Sequence, residues 1–151
     1  MDNLIDIPID IEFKDLDKML DDELKRTVAH EMHHAIRMQS IGYGDTLLET
    51  IISEGLADHF DKEIYGKRIP GYWTDALSQD QIQIYLQRVK KSFNKKYISY
   101  KWLFGYGGIP RWTAYSLGYY IIGKYLEDYK DQKASTLYNT PAQEIISNID
   151  I

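Results

Sequence analysis

Cysteine is absent from this chain of 151 residues. Its absence excludes disulfide bridges, a thiol nucleophile and every zinc site that is built on Cys ligands. If the chain binds zinc, histidines and carboxylates must hold the ion. Proline is scarce too, at 4 residues, while hydrophobic residues make up 44% and charged residues 27% of the chain. These proportions are typical of an ordinary globular domain and not of a disordered or fibrous chain.

Long hydrophobic runs and a surplus of positive charge are also missing. The chain carries 18 Lys and Arg against 23 Asp and Glu, so its net charge is -5. A mildly acidic chain matches a phosphate backbone poorly, and we expect no nucleic-acid partner. The apolar runs are too short for a membrane span, and the acidic N-terminus lacks the basic region of a signal peptide. We therefore expect a cytoplasmic protein, unless the sequence is a fragment of a longer chain.

Hydrophobic periodicity predicts a single, mostly α domain over residues 1–151. Residues 4–13 alternate apolar and polar side chains, which predicts a strand that Pro8 confines to an edge or breaks. Spacings of three and four residues then predict helices at about 21–41, 46–65, 78–94 and 112–129, with a short one after Pro141. Residues 97–112 are rich in glycine and aromatics and predict either a lid over a groove or an ordinary surface loop. The expected class is mostly α (α+β), with a small N-terminal β element.

Residues 30–34 read HEMHH, which satisfies the pattern H-E-x-x-H. Helical residues four apart lie about 40° apart around the axis, so His30 and His34 can direct two imidazoles at one metal ion. Glu31 lies about 100° from His30, where it can reach a metal-bound water as the general base. His33 lies about 60° off the ligand face and is expected to border the cleft. The alternative is a surface helix that happens to carry three histidines.

Catalytic zinc usually has three protein ligands and a water, and two His with one Glu is an established set. The next predicted helix supplies Glu54 as the favoured third ligand, with His59 as the alternative on another face. Asp58 follows Glu54 by one turn and is expected to accept the free N–H of a ligating imidazole. The small residues Gly55 and Ala57 would allow a second helix to approach closely beside these carboxylates.

The motif His30-Glu31-x-x-His34, followed by the segment SEGLAD at residues 53–58, resembles the gluzincin (thermolysin-like) metallopeptidases. The stretches VAHEMHHAIR, LLETIISEGLADHF and PRWTAYSLGYYIIGKYL are similar to a bacterial family of predicted zinc-dependent proteases with an H-E-x-H-H helix. The resemblance covers about residues 20–147. It implies a zincin-like domain, a peptide or protein substrate, and Zn²⁺ held by His30, His34 and Glu54 with Asp58 behind them. It also implies a substrate-binding edge strand, which residues 4–13 would supply.

A hydrolase of this kind needs a second donor, besides the metal, for the oxyanion of its tetrahedral intermediate. The predicted helix 112–129 carries Tyr115 and Tyr119 four residues apart, and Tyr119 is the first choice for this role, with Tyr115 second. The chain holds 13 Tyr against 4 Phe, and six of these tyrosines fall between residues 106 and 129. The alternative is that these tyrosines are large amphipathic core residues.

These patterns together predict zinc-dependent peptide-bond hydrolysis. A second hypothesis is a non-catalytic, zinc-stabilised regulatory or partner-binding domain, in which His59 or Asp58 takes the place of the water. A third is a helical interaction domain without metal. The three hypotheses differ in coordination: three protein ligands and a water, four protein ligands, or none.

Overall fold

The computed structural model describes residues 5, 7, 12, 14–66 and 71–151, and helices dominate this part of the chain. Their order is α1 (Leu16–Met19), a π-helical turn (Leu20–Leu24), α2 (Lys25–Ser40), α3 (Leu47–Tyr65), α4 (Gln79–Lys90), α5 (Ser99–Phe104), α6 (Thr113–Asp128), a 3₁₀ turn (Ala134–Thr136) and α7 (Ala142–Ser147). The described residues form no sheet, and an isolated antiparallel bridge joins Thr46 to Lys96. The predicted mostly α class is confirmed, whereas the predicted strand 4–13 lies largely outside the described residues.

Local capping signals determine where the central helices begin. Thr46 caps α3: its hydroxyl accepts the Glu49 N–H while the Glu49 carboxylate accepts the Thr46 N–H. This reciprocal pair is a capping box, which satisfies two of the free donors at a helix start. The prediction missed α1, the 3₁₀ turn and α5, and α5 lies within the predicted loop 97–112. Its six residues span under two turns, too few to show a helical period.

The core lies where α3 crosses α6. Most of α3 is buried on all sides, and α6 packs against it through two glycines. A Cβ atom on Gly55 would lie 2.2 Å from the carbonyl oxygen of Gly118, and one on Gly118 would lie 2.3 Å from that of Ile51. The two backbones are therefore in direct contact, as Gly55 led us to expect. No helix in the described part of the chain is long and apolar enough to cross a membrane.

Two arginines anchor α2 against the rest of the domain. Arg37 is 1% exposed, and its guanidinium donates to Ser53 Oγ at 3.0 Å and to the carbonyl oxygens of Tyr138 and Thr140 at 3.1 and 2.9 Å. Arg26 pairs with Asp61 of α3 at 2.9 Å. Buried charges need such partners, since an unpaired charge away from water is strongly unfavourable. The helix that carries the H-E-x-x-H motif is thereby held at both ends.

Candidate metal centre

His30 and His34 of α2 and Glu54 of α3 direct their donor atoms at one small volume. Nε2 of His30 lies 3.0 Å from Nε2 of His34 and 3.2 Å from Oε2 of Glu54, and His34 Nε2 lies 3.4 Å from the same oxygen. In a tetrahedral site with zinc bonds near 2.0–2.1 Å, neighbouring donors are about 3.3–3.4 Å apart. The three separations therefore fit the edges of a zinc tetrahedron.

Asp58, one turn after Glu54 on α3, orients the ring of His30. Its Oδ1 accepts from His30 Nδ1 at 3.1 Å and from the indole N–H of Trp73 at 2.9 Å. Because a proton on Nδ1 leaves the lone pair on Nε2, this bond selects the tautomer that a metal ligand needs. Trp73 comes from the segment between α3 and α4, and no sequence pattern pointed to it.

Tyr43 binds the other oxygen of Glu54. Its hydroxyl donates to Oε1, and its ring lies edge-on to that of His34 with the centroids 5.2 Å apart. The residue stands between Gly42 and Gly44, whose φ angles of +83° and +90° favour glycine. This turn, which the sequence indicated only as a helix break, carries the tyrosine over the site. Glu54 is thereby left with Oε2 facing the two imidazoles.

The electrostatics of the group favour positive charge where the three donors meet. Burial acts to lower the pKa of His30, but hydrogen bonds and charge from Asp58 and Glu54 outweigh it and raise the pKa to about 10. Burial likewise acts to raise the pKa of Glu54, yet the bonds from His30 and His34 hold it well below its usual range. A proton or a metal cation can supply this positive charge.

Glu31 lies beside the three donors. It is half-buried, and it lines a cavity of about 180 Å³ together with Thr27, His30, Trp73, Trp112 and Tyr115. Burial first, and then the nearby carboxylates of Glu54, Asp58 and Glu31, raise the pKa of Tyr115. The structure therefore brings Glu31 and Tyr115 to the same side of His30.

Comparison with known proteins shows to which family the chain belongs. The profile of a family described as predicted Zn-dependent protease (DUF2268) matches residues 10–147. The chain belongs to this family of predicted zinc-dependent proteases. It is 31% identical over 128 residues to the uncharacterized protein YjaZ of Bacillus subtilis (strain 168). This match covers 79% of this chain and 48% of YjaZ.

A second relative in the same organism is the uncharacterized protein YjfC, which is 23% identical over 121 residues. The match covers 68% of this chain and 39% of YjfC. The chain thus spans less than half the length of both relatives. No solved structure matches it. The family that the sequence motifs predicted is confirmed, and the chemistry of this member has to be argued from its site.

In this protease-family chain, Tyr119 and His59 lie away from the three donors. Their rings stack with centroids 4.4 Å apart, and His59 Nε2 lies 2.9 Å from the carbonyl oxygen of Tyr119. Both residues line a separate cavity of about 760 Å³. Of the two tyrosines considered for the oxyanion, the structure places Tyr115 in the cavity beside Glu31 and Tyr119 in the separate one.

His33 turns away from the cleft and is a core residue. Its Nε2 lies 3.2 Å from the carbonyl oxygen of Ala134, and its ring packs against Phe60. Burial lowers the pKa of His33 to about 4, so the ring is neutral at ordinary pH and donates its Nε2 proton to that carbonyl. His33 therefore ties α2 to the C-terminal segment.

Proposed function

We propose that the chain is a zinc metallopeptidase in which Glu31 is the general base for hydrolysis of a peptide bond. The observation that carries the proposal is the convergence of His30, His34 and Glu54 at tetrahedral spacing, beside a cavity that contains Glu31. Two imidazoles and one carboxylate are a donor set of catalytic zinc, whereas structural zinc favours four ligands rich in Cys.

Each residue of the site would have a separate role in hydrolysis. Bound zinc would lower the pKa of a coordinated water and polarise the substrate carbonyl. Glu31 would accept the proton of that water and deliver it to the leaving amine. Asp58 and Tyr43 hold the ligands in place, so that little reorganisation is needed. Tyr115, in preference to Tyr119, would donate a hydrogen bond from its hydroxyl to the oxyanion, because it lies in the cavity beside Glu31.

The contacts of Asp58 and His59 disfavour the alternative of a closed, non-catalytic zinc site. Such a site needs a fourth protein donor. Asp58 orients His30 through Oδ1 and lies outside the converging group, and His59 bonds the carbonyl of Tyr119. Among the described residues, the converging group has three members. A fourth position is thereby left for water.

The variant Glu31→Gln tests this proposal because it separates metal binding from catalysis. We expect zinc-loaded wild type to cleave an unstructured, fluorescently labelled peptide, chelation to abolish the cleavage, and added zinc to restore it. Glu31→Gln should retain zinc by metal analysis while its rate falls by about 10²–10⁴-fold. Glu144→Gln, an exposed change in α7, is the matched control and should cleave like wild type. Undiminished cleavage by Glu31→Gln would refute the role of Glu31.

A further inference from the structure

Three aromatic side chains form the walls of the cavity beside Glu31: Trp73, Trp112 and Tyr115. Its volume of about 180 Å³ is smaller than the roughly 300–1,000 Å³ of pockets that enclose a whole small-molecule ligand. A space of this size suits a single side chain. The described residues that line it include no Lys or Arg, and Glu31 adds negative charge, which disfavours an acidic side chain.

The backbone of Trp112 is held in an unfavourable conformation. Its φ of +64° and ψ of +15° lie in the left-handed region, which a bulky L-residue rarely adopts. Trp112 is also the N-cap of α6, and its side chain makes no capping hydrogen bond. A glycine would remove the strain, and an asparagine would also cap the helix. Strain of this kind concentrates at functional sites, where it holds a particular side chain in place.

Neighbouring side chains fix both indoles. The guanidinium of Arg111 lies 4.5 Å from the ring centroid of Trp112, and the ring of Tyr72 packs edge-on against the same indole at 4.9 Å. Trp73 is held by its hydrogen bond to Asp58. Walls that are ordered before the ligand arrives lower the entropic cost of binding.

We propose that this cavity is the subsite for an aromatic side chain of the substrate, adjacent to the bond that is cleaved. The inference rests on the proposed peptidase function. Because His30 and Glu31 share the cavity with the indoles, a side chain seated in it brings its own peptide bond to the metal ligands and the base. Aromatic rings pack well against indole and phenol rings in offset or edge-on geometry.

Hydroxamates of Phe, Leu, Ala and Lys test the subsite without requiring peptide cleavage. Each carries the same zinc-chelating group, and the side chain probes the cavity of the zinc-loaded protein in a calorimetric titration. We expect the Phe compound to bind about 10–100-fold more tightly than the Ala compound, with Leu between them. Trp112→Gly should reduce the Phe-to-Ala ratio to about threefold or less, and Trp112→Phe should retain most of it.

Tyr97→Gly is the matched control for backbone strain. Tyr97 also has a positive φ, of +57°, but its side chain is exposed and lies outside the cavity. This variant should leave the Phe-to-Ala ratio unchanged, because it relieves the same kind of strain without removing a cavity wall.

Four outcomes would overturn the aromatic subsite while leaving the metal site intact: equal affinity for all four hydroxamates, preference for Lys, no binding to protein that holds zinc, or an unchanged ratio in Trp112→Gly. Wild-type protein that takes up no zinc would overturn the proposed function and the subsite together. Metal analysis of the titrated sample separates the two cases.

Discussion

Replacing Tyr43 with Phe removes one hydroxyl from the site and keeps the ring that packs against His34. The hydroxyl donates to Oε1 of Glu54, whose side chain is almost wholly buried, so the variant leaves a buried carboxylate oxygen without its donor. A hydrogen bond to a charged group contributes about 1.5–3 kcal/mol. At about 1.4 kcal/mol for each factor of ten, zinc affinity should fall by at most roughly 10–100-fold, the value reached if the whole contribution is made in the zinc-bound state. The released carboxylate is also free to rotate and offer both oxygens to the ion.

Competition with a chromophoric chelator measures the zinc affinity, and the visible absorption of the cobalt-substituted protein reports the coordination number. Tyr120→Phe is the control, since the Tyr120 hydroxyl accepts from Gln83 away from the three donors. The melting temperature of the metal-free protein should fall by several degrees in Tyr43→Phe, because the hydrogen bond is also present without metal, and should stay unchanged in Tyr120→Phe. If Tyr43→Phe binds zinc within about twofold of wild type and its cobalt spectrum is unchanged, the hydrogen bond does not position Glu54.

Three further predictions concern stability. Gly118→Ala would place a Cβ 2.3 Å from the Ile51 carbonyl oxygen, so the unfolding free energy measured in urea should fall by about 1–3 kcal/mol or more. Gly123→Ala in the same helix meets nothing closer than 3.6 Å and should be neutral or stabilising by about 0.5–1 kcal/mol; equal losses in both would contradict the close crossing. Burial lowers the pKa of His59 from 6.5 to about 4. Between these pH values the imidazole is protonated in the unfolded state and neutral in the folded state. The stability that comes from the neutral His59 is therefore complete above pH 6.5 and is lost as the pH falls toward 4. Urea titrations at several pH values should show His59 contributing a loss that approaches about 1.4 kcal/mol per pH unit, in addition to the similar loss from His33. His59→Gln should therefore reduce the slope, and an unaltered slope would contradict the assignment. Zinc at about 1,000 times its dissociation constant should stabilise the fold by about 4 kcal/mol, and a melting temperature that chelation leaves unchanged would argue against a metal ion bound to the folded state.

Helical periodicity predicted which donors on each helix of the candidate metal centre point in the same direction. His30 and His34 are one turn apart on one helix, and Glu54 and Asp58 are one turn apart on the next. Because residues one turn apart lie on the same face of a helix, this spacing gives both side chains of each pair the same direction. Gly55 indicated that another helix would approach beside Glu54. The remaining uncertainty was the pairing of the two helices, which the H-E-x-x-H pattern and the carboxylate pair together resolved.

Residues outside the long helices were beyond this reasoning. Tyr43 and Trp73 lie in connecting segments, and the direction of their side chains depends on tertiary packing. Periodicity could not decide between Tyr115 and Tyr119 for a different reason. Residues four apart share a helix face but lie about 6 Å apart along the axis. The crossing at Gly118 decides which of them reaches the cavity, and periodicity carries no information about that position along the helix.

The hydrogen bonds of Arg37 to the C-terminal segment affect when the motif helix can complete its packing during synthesis. The guanidinium is on the motif helix, yet its carbonyl acceptors at Tyr138 and Thr140 are separated from it by 101 and 103 positions in the chain. A chain emerging from the ribosome therefore exposes both histidines and the glutamate long before the motif helix gains its final anchor. Ser53 of α3 supplies one acceptor for the guanidinium, but its N–H groups that bond Tyr138 and Thr140 lack these acceptors until residues 138–140 have been made, and a buried donor without a partner is unfavourable. The packing of the helix against α3 is therefore incomplete until that segment is present. A ribosome-bound chain that stops before residue 138 should thus have every donor for the metal and lack the support that holds those donors together.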